Sequence, residues 1–483
     1  MRESTLELPE AELRALFDRT AAMAADYLAG VGRRPIIEPL TAAERAQRVH
    51  GDRRELPQDG EPLDDLLAAV GEVIDASRHT GPGFFGYVLS PAAPVGVAGD
   101  LIASALNQNL GSYRGGPAAA EVERTVVRWL GQLVGFADDA HGLLMSGGSM
   151  ANLGALFVAL RARADEQDDR RRIVVYASDQ VHFSIPKAAD MLGVAVRGIA
   201  AGDDLRLDPD ALRAQVTADV EAGLRPCCVV ASAGTVATGA IDPLEAIADV
   251  AAEQGLWLHV DGAYGALAAA DPATRPRFAG LERADSLSID PHKWLAVPID
   301  CGCLLVRDAG ASRAAFSHSS GDYVQVLGHR EAVEAFAFWD HGPELTRRFR
   351  ALKVWMILRY HGARRIGAAI AEDMRLAGHL ADCVRAAGDF ELLAAPSLSI
   401  CCFRHVPAAL RGDDAALDEH NERVMTAVQR GGRAYLSNAT VGGRFALRVC
   451  ITNFRTTEAD VEAVLDVVRD AADGHGSLDS RAR

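Results

Sequence analysis

The sequence predicts an α/β protein: a mostly parallel central sheet with helices on both faces, a smaller α+β C-terminal domain and a helical N-terminal segment. Two observations predict this. From about residue 86 to 310, short β-branched runs alternate with helical stretches, the pattern of strands joined by crossover helices. Beyond about residue 365 the alternation gives way to isolated strands between longer helices. The expected domains are therefore residues 1–85, 86–365 and 366–483.

Taken in order, Leu13 to Leu28 carries apolar residues at helical spacing, and the Pro35–Pro39 stretch interrupts it. The turn-rich segment Gly81–Tyr87 marks the change of character. Pro117 opens an amphipathic helix with Val122, Val126, Val127, Leu130, Leu133 and Val134 on one face. Ile173–Tyr176, Cys227–Ser232, Leu256–Val260, Ser286–Ile289 and Cys303–Val306 read as buried strands, and Pro209–Glu221 and Pro243–Gln254 as helices. Ala309–Pro343 has turn signals, three histidines and no clean periodicity, and reads as a functional loop or lid. In the C-terminal part, Ser399–Phe403 and Phe445–Ile451 read as strands, Asp418–Gln429 and Thr457–Ala471 as helices.

Composition excludes several functions. An apolar share of 49% over 483 residues rules out disorder as the dominant state. A net charge of −16 argues against nucleic-acid or anionic-membrane binding. No apolar run approaches ~18 residues, and the N-terminus lacks the layout of a secretory signal. Eight scattered cysteines without a CxxC pair fit reduced thiols and a cytoplasmic location. Cys301 and Cys303 have no second ligand pair nearby, which argues against a metal there. The basic residues are almost all arginine; lysine occurs only at Lys187, Lys293 and Lys353. Arginine substitutes for lysine as a charge but forms no imine with a carbonyl, so a lysine in an apolar setting is a candidate for chemistry.

Four segments carry that chemistry. In Asp290-Pro-His292-Lys293-Trp294, a lysine follows a buried strand among apolar neighbours, where desolvation favours its neutral, nucleophilic form. Asp261 closes the apolar strand Leu258-His-Val260 and enters the crevice where α/β proteins bind ligands, a place for a carboxylate partnering a protonated pyridine. Ser146-Gly147-Gly148-Ser149 opens a helix and offers free N–H groups to an anion. His182, just past a strand, is suited to lie on a planar cofactor. Each alone has an ordinary structural reading: a snorkelling lysine, a capping aspartate, a small-residue helix start, a hydrogen-bonded core histidine. Together they fit pyridoxal 5′-phosphate.

With these residues in place, the chain resembles the group II pyridoxal-phosphate-dependent decarboxylases, the family that includes the aromatic amino acid decarboxylases. The similarity runs from about Pro35 to Ala471 and rests on FFGYVLSPAAPVG, the Pro117–Gly135 helix, MSGGSMAN, SDQVHFS, SAGTVATGAIDPL, HVDGAYG, DPHKW, RRFRALKVW and FALRVCITNFRTTEADV. The resemblance implies fold type I and a homodimer with active sites at the subunit interface. It implies Lys293 as the Schiff-base lysine, Asp261 as pyridinium partner and His182 as the stacking ring. Gly148 and Ser149 would hold the phosphate with His292 nearby, and Thr235 would lie beside the cofactor. Asp290 stands where some relatives have asparagine, and an acid there repels phosphate unless turned away. Tyr323 matches a loop tyrosine that returns a proton to Cα; relatives with phenylalanine there tend toward oxidative decarboxylation to an aldehyde.

The resemblance also implies a substrate pocket. Tyr87, Leu89 and Ser90 match its lining, and Asn109 and Gly111 lie on the stretch contributed by the partner subunit, more polar here than in aromatic-specific animal members. Gly81 replaces a usual histidine. Thr346 falls where plant relatives have glycine for indolic and serine for phenolic substrates, so its branched side chain favours tyrosine- or DOPA-like substrates over tryptophan. The leading expectation is decarboxylation of an L-amino acid to an amine and carbon dioxide. Oxidative deamination to an aldehyde, a non-aromatic substrate, and a non-enzymatic cofactor-binding protein are the alternatives.

Overall fold

The computed structural model describes residues 6–51, 55–137, 140–165, 167–317 and 336–474. Three helices open the chain: α1 (Glu10–Gly30), α2 (Ala42–His50) and α3 (Leu63–Ala76). Thr41 and Glu44 close a capping box on α2, while α1 buries none of its residues within this chain. Next come α4 (Pro94–Leu106) and α5 (Pro117–Val134), the latter burying Val126, Val127, Leu130, Leu133 and Val134 on the face its spacing predicts.

The central sheet has seven strands: β1 (His141–Met145), β2 (Ile173–Ser178), β3 (Ala195–Ile199), β4 (Arg225–Ser232), β5 (Trp257–Asp261), β6 (Ser286–Ile289) and β7 (Gly302–Val306). Their order is β1-β7-β6-β5-β4-β2-β3. Strands β6, β5, β4, β2 and β3 are parallel, and β7 runs antiparallel to both its neighbours. Every residue of β2, β5, β6 and β7 is buried, as a sheet covered on both faces requires. Helices α6 (Gly148–Arg163), α7 (Ser184–Leu192), α8 (Pro209–Glu221) and α9 (Leu244–Gln254) supply the covering layers.

Past β7 the stretch Ala309–Pro343, expected as an irregular loop or lid, opens with a helix, and its residues 318–335 lie outside the described residues. Ala309–Phe316 forms a helix, α10, capped by Asp308 onto the Gly310 N–H and fastened by Phe316 against Phe157. Its core of small residues hides the periodicity. Then α11 (Ala351–Ala386) carries the chain from the large sheet to the small one; it breaks at Gly362, whose φ of 73° is left-handed, so the expected division at residues 365/366 falls inside this element. The second sheet is antiparallel, in the order β10-β11-β9-β8: β8 (Phe390–Leu392), β9 (Ile400–His405), β10 (Ser437–Val441) and β11 (Arg444–Cys450). It is backed by α12 (Asp414–Gly431) and α13 (Glu458–Ala472).

One buried ion pair ties the segment before α11 to α5 and β1. Arg347, fully enclosed, donates to Glu123 on α5, to the Leu110 carbonyl (3.0 Å) and to the Leu144 carbonyl on β1 (2.7 Å). Glu123 in turn accepts from the Leu144 N–H (2.9 Å). Removing one partner of such a pair strands an uncompensated charge, so Arg347→Ala is expected to destabilise the protein by about 3–5 kcal/mol. The midpoint of urea unfolding measures this; an unchanged midpoint would show that the pair is solvated.

Candidate active site

The ends of β1, β2, β4, β5 and β6 meet at one cavity of about 430 Å³. Gly148, Ser149, His182, Thr235, Asp261, His292 and Lys293 all line it. Seven positions anticipated from the sequence thus converge, because parallel strands deliver their C-terminal ends to the same edge.

At the β1 end, Gly147 precedes α6 without a side-chain cap, leaving the first N–H groups of the helix for a ligand. Gly148 has no room for a side chain: a Cβ there would lie 2.8 Å from the Asp290 carboxylate and 2.9 Å from Ala263 Cβ. A Cβ on Gly147 would meet His292 Cε1 at 3.4 Å, so the ring stands directly beside this turn. The His292 Nδ1–H donates to the Cys301 carbonyl (2.7 Å), which fixes the ring beside the cradle.

Asp261 ends β5, nearly buried, and three neutral groups donate to it: Asn152 Nδ2 (2.9 Å), the Ala263 N–H (3.1 Å) and Ser288 Oγ (3.2 Å). Behind it the proton directions are forced. A carboxylate only accepts, so Asn152 turns its amide nitrogen to Asp261 and its oxygen to His259 Nε2 (3.0 Å), which must therefore carry the proton. His259 Nδ1 then accepts from Ser286 Oγ (2.9 Å), which accepts from Trp257 Nε1 (2.9 Å). Complete burial pushes His259 down to about 4, so the ring is neutral, as this chain demands. The other Asn152 proton goes to Ser184 Oγ (3.0 Å), which donates to His182 Nδ1 (2.8 Å). His182 is accordingly neutral with its proton on Nε2, and burial lowers its pKa in the same sense. Asn152, Ser184, His259, Ser286 and Ser288 were not anticipated from the sequence. The available signal was polar residues at every second position of two otherwise apolar strands, with His259 opposite Ser286 and Asp261 opposite Ser288.

Lys293 Nζ lies 2.9 Å from Asp290 Oδ2. Asp290 is therefore not turned away from the cradle: the amine holds one of its oxygens beside Gly148, and the buried Oδ1 has no hydrogen-bond partner among the described residues. Trp294, next in sequence, donates from Nε1 to the Asp373 carboxylate (2.7 Å) and stacks on Tyr264, so the lysine segment is anchored to α11.

The residues expected to line the substrate pocket sit elsewhere. Tyr87 is exposed, its hydroxyl 3.0 Å from that of Tyr435, with the Arg78 guanidinium over both rings. Leu89 is half-buried, and Ser90 donates to the Thr452 carbonyl (2.6 Å). Asn109 and Thr346 are both exposed and adjoin one another: Asn109 Oδ1 accepts from the N–H groups of Gly111 and Arg347. None of these five lines the cavity around Lys293. Tyr323 lies outside the described residues.

The donors present fit pyridoxal phosphate on one decisive point. Asp261 is a nearly buried carboxylate without an ion-pair partner among the described residues, where a protonated ring nitrogen supplies the missing cation. Comparison with known proteins agrees. Residues 46–406 match the family described as pyridoxal-dependent decarboxylase conserved domain. The chain belongs to this family. It is a pyridoxal-phosphate-dependent amino acid decarboxylase of fold type I. It is 33% identical to the aromatic-L-amino-acid decarboxylase of Bacillus atrophaeus over 97% of each chain, and 32% identical to a rose phenylacetaldehyde synthase over 86% of this chain and 85% of that one. Among solved structures, an Oryza sativa TDC with PLP and tryptamine superposes with a TM-score of 0.90 at 29% identity, covering 98% of this chain and all of the other. Among the described residues, no helix of the decarboxylase is long and apolar enough to cross a membrane.

Burial raises the Asp373 carboxyl to about 7. Its folded pKa thus lies above the unfolded value, so stability is full at low pH and is lost as pH rises from about 4 toward 7. Asp373→Asn keeps an acceptor for Trp294 and removes that loss, which is on the order of 4 kcal/mol for a shift from 3.8 to about 7. Thermal unfolding of the decarboxylase is expected to favour the variant at pH 8 but not at pH 4; a pH-independent difference would contradict the assignment.

Proposed function

We propose that this decarboxylase converts an aromatic L-amino acid, tyrosine- or DOPA-like, to its amine and carbon dioxide in a homodimer. The observation that carries the reading is the Asp261 carboxylate, without a cation partner among the described residues, sharing one cavity with Lys293 and an uncapped helix end.

Bound pyridoxal phosphate supplies an electron sink conjugated with the substrate's amino nitrogen. The chain's residues do the rest. Gly148 and Ser149 hold the phosphate at the start of α6, with His292 beside them. Lys293 Nζ would be the amine that holds the cofactor aldehyde and that a substrate amine would replace. Asp261 keeps a proton on the ring nitrogen, and the neutral donors around the carboxylate leave its charge free to do so. His182, uncharged, presents a planar face without competing for that proton. Tyr323 returns a proton to the substrate Cα once the carboxylate has left, the step that separates amine from aldehyde formation.

Substrate choice rests on Tyr87, Leu89, Ser90, Asn109 and Thr346. The last two adjoin one another on the surface, away from the cavity of their own chain, which supports their serving the partner's site. Thr346 narrows that site against an indole.

Three outcomes test this. Lys293→Ala is expected to lack the visible absorption band of lysine-bound cofactor; a retained band would move the attachment to Lys187 or Lys353. Tyr323→Phe is expected to divert product from amine to aldehyde, ammonia and peroxide with oxygen uptake, and an unchanged amine yield would remove Tyr323 from the proton step. Finally, Lys293→Ala and Thr346→Trp chains, each inactive alone, are expected to regain carbon dioxide release when refolded together, since one site of the hybrid is intact. Failure to recover would place both residues in the same chain's site.

A further inference from the structure

On the outer face of the C-terminal domain, away from the decarboxylase cavity, two helices bring four metal-ligating side chains together. His379 and Cys383 lie one turn apart on α11, Glu458 and Glu462 one turn apart on α13, so each pair shares a helix face. His379 Nε2 is 3.0 Å from Glu462 Oε1, 3.8 Å from Glu458 Oε1 and 3.7 Å from Cys383 Sγ. The histidine nitrogen and the two carboxylate oxygens all fall within 4.8 Å of one another.

We propose that His379, Cys383, Glu458 and Glu462 form a site for a borderline-soft divalent cation, Zn²⁺ in particular, that clamps α11 to α13. The argument is geometric. A tetrahedral zinc with nitrogen and oxygen ligands at about 2.0–2.2 Å and sulfur at about 2.3 Å sets its ligand atoms about 3.3–3.6 Å apart. The three separations from His379 Nε2, at 3.0, 3.7 and 3.8 Å, bracket that span, and the two carboxylate oxygens close a three-ligand group within 4.8 Å, toward which the Cys383 side chain, outside that group, must turn to complete the set. The donor set, imidazole with thiol and carboxylates, suits zinc rather than calcium or magnesium, which take oxygen alone.

A supporting contact orients one ligand. Arg375, one turn before His379, donates to Glu458 Oε2 (2.9 Å) and leaves Oε1 on the side of the histidine. Such second contacts fix ligand direction in metal sites. The Thr457 capping box sets the first turn of α13, where Glu458 stands. The remaining seven cysteines are buried or nearly so, which leaves Cys383 as the accessible thiolate donor.

The test uses full-length holoenzyme without a histidine tag, stripped of metal with a chelator. Titration calorimetry with Zn²⁺ is expected to give one ion per chain, and the thermal midpoint to rise by a few degrees when the site fills. His379→Ala and Glu462→Gln are expected to weaken binding at least tenfold, and Arg375→Ala by roughly tenfold through Glu458 alone. With Co²⁺, the metal-minus-free difference spectrum is expected to show a thiolate-to-metal band that Cys383→Ser abolishes. Circular dichroism confirms that each variant is folded. Absence of binding by the wild type, or equal binding by the wild type and the His379→Ala variant, would overturn the proposal and leave an ion-pair cluster only.

Discussion

A buried carboxylate with no cation partner among the described residues is the constraint on which the active site rests. Placing Asp261 at the end of a fully enclosed strand is costly unless every lone pair finds a donor. The protein satisfies it with an amide, a backbone N–H and a hydroxyl, all neutral. Neutral donors stabilise the charge without cancelling it, so the electrostatic demand for a cation persists in the cavity. A lysine or arginine in their place would give a stable core and an inert one. The proton order of Trp257, Ser286, His259 and Asn152 follows from the same demand, since reversing any link would turn a lone pair toward Asp261.

The second acid works differently. Asp290 borrows the Lys293 ammonium, and the two neutralise one another beside the anion cradle. Whatever occupies that amine leaves Asp290 needing a new donor, and its buried Oδ1 already lacks one. One carboxylate thus lies against both the Lys293 amine and the start of α6 at Gly148. Resemblance pointed to repulsion between Asp290 and phosphate; the ion pair shows how the acid is accommodated without facing solvent.

How much of this was legible depends on the kind of signal. Ser286–Ile289 and Pro209–Glu221 read correctly because burial on both faces, or one face at helical spacing, leaves a pattern in a single segment. Edge strand β3 was missed: only Ile199 is buried, and Gly198 interrupts the run. The polar β10, SNATV, and the three residues of β8 depend on their partners rather than on their own composition. In the site, charged residues announced themselves, whereas Asn152, His259 and the serines act only through positions that cross-strand register creates. Chemistry that needs a charge is written locally; the groups that aim the charge are written in the fold.

The same division separates the reaction type from the choice of substrate. The cofactor end is built by five strands of one rigid sheet, whose register places Asp261 opposite Ser288 irrespective of surface loops. The proposed substrate residues Asn109 and Thr346 lie instead in loops 107–116 and 344–350, which Arg347, among other groups, ties to the sheet. Differences of a methyl group or a hydroxyl on such loops shift discrimination by about 1–3 kcal/mol, enough to change the preferred amino acid while leaving every bond around Asp261 intact. Relatives sharing about a third of this sequence accordingly include a tyrosine decarboxylase and a tryptophan decarboxylase. The sheet keeps the chemistry constant, and a handful of loop side chains is free to redirect it.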